Sequence, residues 1–146
     1  MTEAERLTAV RAYIAAEMLR PYEKGVTDCG GTIDRWVQKT TGVSPVSAFG
    51  RQLRNAQDAA EWLAVPQMFA VLVNRAARAG GFKKITNPKP GDVGLIVNEK
   101  GVMAPAIHAG DCWWTRHETG ALAVPLDKFW KAWSVFDENK VHSEHA

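Results

Sequence analysis

Apolar residues recur at spacings of three and four through the first half of the chain, and the texture turns strand-like beyond Gly80-Gly81. Thr2 is placed to cap a first helix whose apolar positions Leu7, Val10, Ile14 and Met18 share a face, ending at Pro21. A second helix is expected to start near Asp28, to carry Ile33, Trp36 and Val37 inward and to stop at Thr41-Gly42. A Ser-Pro loop follows. Two further helical stretches are expected over Ala56 to Ala64 and Pro66 to Ala79, with Pro66 in a first turn and Gly80-Gly81 as the stop.

In the second half, Asn87 to Gly91 reads as a stiff turn and Asp92 to Val97 as a buried strand. Asn98 to Gly101 is a hairpin connection, leading into a second strand from Val102 to Ala109 that Pro105 weakens or sets at an edge. Gly110-Asp111 makes a two-residue turn into a third strand, Cys112 to His117, and Gly120 to Val124 forms a fourth. Leu126 to Phe136, with Phe129, Trp130 and Trp133, is expected to close the sheet. Helices first and an antiparallel meander afterwards define an α+β domain. No repeat or long linker divides the chain. One domain over residues 1–136 is expected, helical to about 80 and sheet-forming from about 90, with a polar tail over 137–146.

Composition narrows the class. The 146 residues are 46% hydrophobic and 23% charged, inside the globular range. A net charge of +2 is too small to imply a nucleic-acid or membrane-surface partner, and six Trp read as core and groove lining. No apolar run approaches the roughly 18 residues of a membrane span, so no membrane insertion is expected. The start, Met1-Thr2-Glu3-Ala4-Glu5-Arg6, lacks a basic region followed by an apolar core, so cytoplasmic synthesis without a signal peptide is expected. Two cysteines are too few for a disulfide scaffold.

The stretch Pro21 to Thr32 carries the candidate chemistry. If Thr27 or Asp28 caps the second helix, Cys29 lies in its first turn, where unsatisfied amides and the helix dipole favour a thiolate. Gly30 and Gly31 either leave space above the sulfur for substrate or allow close helix packing. His108 is the candidate base. With Gly110-Asp111 as the turn, His108 faces Trp113, and alternation puts Thr115 and His117 on its side of the sheet. Either could orient the imidazole, whereas a one-residue slip would turn Arg116 inward. A coupled Cys29–His108 pair would hold the thiol below roughly 8.5 and the imidazole above roughly 6.5. Cys29, His108, Cys112 and His117 also make up the ligand set of a structural zinc site. Their spacings fit no compact knuckle, and Cys112 and His108 point to opposite faces, so neither metal nor cofactor is expected.

Pro21-Tyr22, Gly25 and Asp28-Cys29 at a helix start resemble the nucleophile motif of the NlpC/P60 superfamily of papain-like cysteine hydrolases. Pro90-Gly91-Asp92-Val93 resembles that family's entry into its first core strand, and Ala106 to Gly110 its base-bearing strand, in the same order. The late glycine and Ala132-Trp133 are closer to a compact group common in phage and prophage tail modules. The resemblance implies a papain-like fold, Cys29 as nucleophile, His108 as base, and the Tyr22 hydroxyl beside the Cys29 amide as an oxyanion or substrate contact. It leaves the third position to His117 or Thr115. Residues 43–84 have no counterpart in it; with Trp62, Met68 and Phe69 they could cap the groove or contact another protein.

The resemblance thus implies a cysteine hydrolase cleaving an amide in a peptide, with a peptidoglycan stem peptide as the expected substrate, associated with a phage tail or prophage and with the virion. The alternative is a non-catalytic tail or assembly protein on the same fold.

Overall fold

A computed structural model describes residues 1–63, 69–97, 99–101 and 103–136. The first helix, α1 (Glu3–Met18), begins in a reciprocal capping box between Thr2 and Glu5. It buries Val10 and Tyr13, and also Glu17, while Met18 stays exposed. The inward stripe is therefore rotated from the one read in the sequence: Glu17 turns inward and pairs with the half-buried Arg35 and, at 3.3 Å, with the exposed Arg20. Helix α2 (Cys29–Thr41) starts at Asp28, buries Ile33, Trp36 and Val37, and ends at Gly42 in the left-handed conformation.

The segment that follows packs on α2 through its first helix. The expected Ser-Pro loop contains a short helix, α3 (Pro45–Ala48), capped by Ser44 with Pro45 in its first turn. Two longer helices follow, α4 (Ala56–Leu63) and α5 (Phe69–Ala79). The expected start at Pro66, the end at Ala64, and the Trp62, Met68 and Phe69 side chains fall outside what is described, as does the polar tail.

The sheet has six antiparallel strands: β1 (Lys84–Ile85), β2 (Val93–Val97), β3 (Met103–His108), β4 (Trp113–His117), β5 (Gly120–Val124) and β6 (Phe129–Trp133). Their spatial order is β1-β6-β2-β3-β4-β5, which corrects the simple meander. The chain leaves β5 at one edge and re-enters beside β2, because Phe129 packs with the Trp113 ring 5.5 Å away and the Trp113 indole donates to the Leu126 carbonyl at 2.9 Å. Pro105 lies in an interior strand, not at an edge: β3 pairs with β2 along Met103 to Ile107, and the ladder towards β4 covers only Ile107 and His108. Its missing N–H falls outside that short β4 ladder.

Strand alternation divides the core in two. Leu95, Ile107, Trp114 and Trp133 meet Val10, Tyr13, Ile33, Trp36 and Val37 on the helix-covered face. Ile96, Ala106, Trp113 and Ala132 fill the other face. That division decides the fate of the expected catalytic pair.

Candidate functional site

The Pro21 to Thr32 motif is built by close approaches and side-chain hydrogen bonds. The Thr27 hydroxyl, buried, donates to the Pro21 carbonyl at 2.8 Å and accepts from the Glu23 amide at 2.5 Å. Asp28 accepts from Gly25 N–H at 2.8 Å with one carboxylate oxygen and from Gly31 N–H at 2.9 Å with the other, so it closes the turn and caps α2 together. Gly25 has φ +86°, and any Cβ there would collide with the Asn55 carbonyl. Gly31 lies against the Val26 carbonyl in the same way, and a Cβ at Gly30 would come within 3.3 Å of Leu53. Close packing is what Gly31 serves, whereas Gly30 borders the cavity beside Cys29. From the segment without a family counterpart, Leu53 approaches Gly30 in α2's first turn and the Asn55 backbone approaches Gly25 in the turn before it.

Cys29 occupies that first turn, as expected. The amides of Cys29 and Gly30 favour its thiolate, but burial and the neighbouring Asp28 carboxylate outweigh them and push the thiol up to about 12. The direction is opposite to that expected for a paired nucleophile. Tyr22, partly exposed, lies in electrostatic range of Cys29, Asp28, Glu118 and Arg116, and its phenol is raised chiefly by desolvation.

His108 is elsewhere. Its ring packs edge-on against Trp113, centroids 5.4 Å apart, on the sheet face away from α2. The β3 residues that border the Cys29 cavity are Met103, Ala104 and Pro105. His108 is three to five residues further along the strand, roughly 10–16 Å at the rise of an extended chain. Its Nδ1 accepts from Gly110 N–H at 3.1 Å, and burial lowers its pKa against the opposing pull of Asp92 and Glu3. The expected Cys29–His108 pair is thus not assembled: the register was read correctly (His108 opposite Trp113), but that register turns the imidazole away from the helix carrying the thiol.

The third position fares likewise. Thr115 is buried on the His108 face, with its hydroxyl unpartnered in the described structure. His117 is exposed, and its Nδ1 lies 2.9 Å from the Thr119 hydroxyl. Arg116 is the residue that turns to the helical face, without any register slip. Its guanidinium donates to the carbonyls of Glu17 and Arg20, both at 2.6 Å, and so ties β4 to the end of α1. Cys112 is half-buried against the helix-side core, and its thiol is raised by that burial. Among the described residues, no group of three or more His, Cys, Asp or Glu could hold a metal ion, and no helix is long and apolar enough to cross a membrane.

Cys29 does line a cavity of about 840 Å³. One wall is the α2 stripe Gly30, Ile33, Asp34 and Val37; facing it is the α5 stripe Ala70, Val73 and Ala77. Small side chains at i, i+3 and i+7 leave the gap, a pattern visible in the sequence but not read there as a site. Asp34 carries one of the few charges in the wall. It accepts from the Ser44 hydroxyl at 2.8 Å and Val46 N–H at 3.0 Å, and burial raises its carboxyl. The volume lies within the usual range for ligand pockets, and the walls are mostly aliphatic.

The molecule is therefore an α+β domain with helices over one face of an antiparallel sheet and a helix-start cysteine bordering an apolar cavity. Residues 3–135 match the model of a domain of unknown function, DUF6950, and the chain belongs to that family. No curated protein matches the chain.

Proposed function

We propose that this chain is a non-catalytic domain of papain-like, NlpC/P60-type architecture, which holds an apolar segment of a peptide partner in the cavity beside Cys29. The observation that carries this reading is the environment of the Cys29 thiol: half-buried in a mostly aliphatic cavity wall and raised to about 12, with the His108 imidazole on the opposite sheet face. A nucleophile needs a base within hydrogen-bond reach or a depressed pKa; among the described residues no base hydrogen-bonds Cys29, and its pKa is raised. A neutral thiol behaves as a small hydrophobe, suited to an apolar contact. Resemblance to phage and prophage tail modules makes a tail or assembly protein the fitting partner class.

The competing reading is the cysteine hydrolase acting on peptide or peptidoglycan amides. Its support is the first-turn position of Cys29, where two backbone amides favour the thiolate.

Alkylation of Cys29 by iodoacetamide, in a Cys112→Ala background, separates the two. On the proposed reading the rate is low at neutral pH, climbs without a plateau through pH 9, and is unchanged by His108→Ala. A midpoint below roughly 8.5 that moves upward in His108→Ala overturns it in favour of the hydrolase.

A further inference from the structure

The two edges of the sheet are guarded very differently. At one edge β1 is only two residues long, with Lys83 and Lys84 at its start and Pro88 and Pro90 soon after. These are devices that keep an edge from pairing with another chain. At the other edge β5 is five residues, Gly120-Ala121-Leu122-Ala123-Val124, with no charge, no proline and an unbroken ladder to β4. No strand lies on its outer side among the described residues. Ala121, Leu122 and Ala123 are exposed, Leu122 at 41%.

From this edge we infer that two copies of the chain associate by antiparallel β5–β5 pairing, with a two-fold axis through Leu122. An isologous contact requires a self-complementary surface. On such an axis Leu122 meets its own symmetry mate, Ala121 of each copy meets Ala123 of the other, and Gly120 meets Val124. Small faces small, and the one large side chain meets itself. The turn after β4, with exposed Glu118, is brought towards the other copy's β5–β6 connection, where exposed Asp127 and Lys128 cancel, so the ends add no net repulsion. Nothing of like charge is opposed along the strand, so the pairing meets none of the repulsion that lysines would introduce. A five-residue strand contact is small beside the roughly 1,200–2,000 Å² of a stable interface, so the dimer is reversible and concentration-dependent.

Sedimentation velocity on the full chain, from about 10 μM to about 1 mM, tests the inference in the affinity range expected of so small a contact. The wild type is expected to rise from the 16.1 kDa monomer towards twice that mass. Leu122→Lys and Leu122→Glu each place like charges against themselves on the axis and are expected to weaken association at least about tenfold. Both replace an exposed side chain, so circular dichroism should show the wild-type fold. An equimolar mixture of the two variants should associate again, because only the mixed pair opposes unlike charges. A wild type that stays monomeric to about 1 mM overturns the inference. So does a Leu122→Lys variant that associates like the wild type, or a mixture that stays monomeric.

Discussion

Gly31 lies against the carbonyl of Val26, so close that α2 could not sit where it does with any side chain at that position. Val26 O also accepts from the Arg35 guanidinium, so it is held and cannot yield. Gly31 is therefore a packing device that brings the first turn of α2 down onto the preceding turn. Gly31→Ala is expected to lower stability by about 1–3 kcal/mol, the usual range for overpacking, read as a fall in urea midpoint. A wild-type midpoint in this variant would mean that the turn at 23–28 has room to move.

Arg116 joins β4 to the chain at the end of α1 through the carbonyls of Glu17 and Arg20. Arg116→Ala is expected to cost about 1–3 kcal/mol, because it removes two charge-assisted hydrogen bonds and leaves a void. Arg116→Lys should recover only part of this, since an ammonium cannot reproduce the fork geometry. Full recovery by lysine, in denaturant unfolding, would reduce the contact to simple charge.

His108 makes stability depend on pH with a definite sign. Burial lowers its folded pKa below the unfolded value, so between the two pKa values the unfolded chain binds more protons. Its contribution is fully present above roughly pH 6.5 and is lost as pH falls through that value towards the lower folded pKa. Unfolding midpoints at pH 5.0 and 7.5 should therefore differ more in the wild type than in His108→Gln, which keeps an acceptor near Gly110 N–H without a titrating ring. An equal difference in both would place the pH dependence on other groups.

The cavity predicts a stabilising substitution. Ala70 lies partly buried in the α5 wall, and Ala70→Leu adds apolar surface where there is empty volume. A gain of up to about 1–2 kcal/mol in unfolding free energy is expected, with a matching loss of binding for a neutral apolar fluorophore. Destabilisation would show that the α2–α5 gap cannot take three more carbons.

Much of the architecture was legible in the chain because it rests on local rules. Thr2 and Asp28 as caps, Gly42 and Gly80-Gly81 as stops, and the alternation of β2 to β5 each follow from chemistry within a few residues. Even the pairing of His108 with Trp113 was readable, because a two-residue turn sets its register. The α+β class follows from the change of period near Gly80.

The site was not legible in that way. Whether a strand residue faces a helix depends on which side of the sheet the helices occupy, and no local pattern encodes that. The pairing of His108 with Trp113 holds, yet α2 packs on the other face, so the imidazole sits with Trp113 while Arg116 turns towards the helices. The same nonlocal packing moves β6 from beside β5 to beside β2, since Phe129 and Leu126 are drawn to the Trp113 side chain. It also buries the Cys29 thiol, with Leu53 and Asn55 folded over the neighbouring glycines from more than twenty residues away. The sequence by itself determined most of the elements and the β3–β4 register. The environment of Cys29, and with it the chemistry open to the thiol, was decided only in the tertiary structure, because desolvation is set by everything that packs around a group and not by its neighbours along the chain.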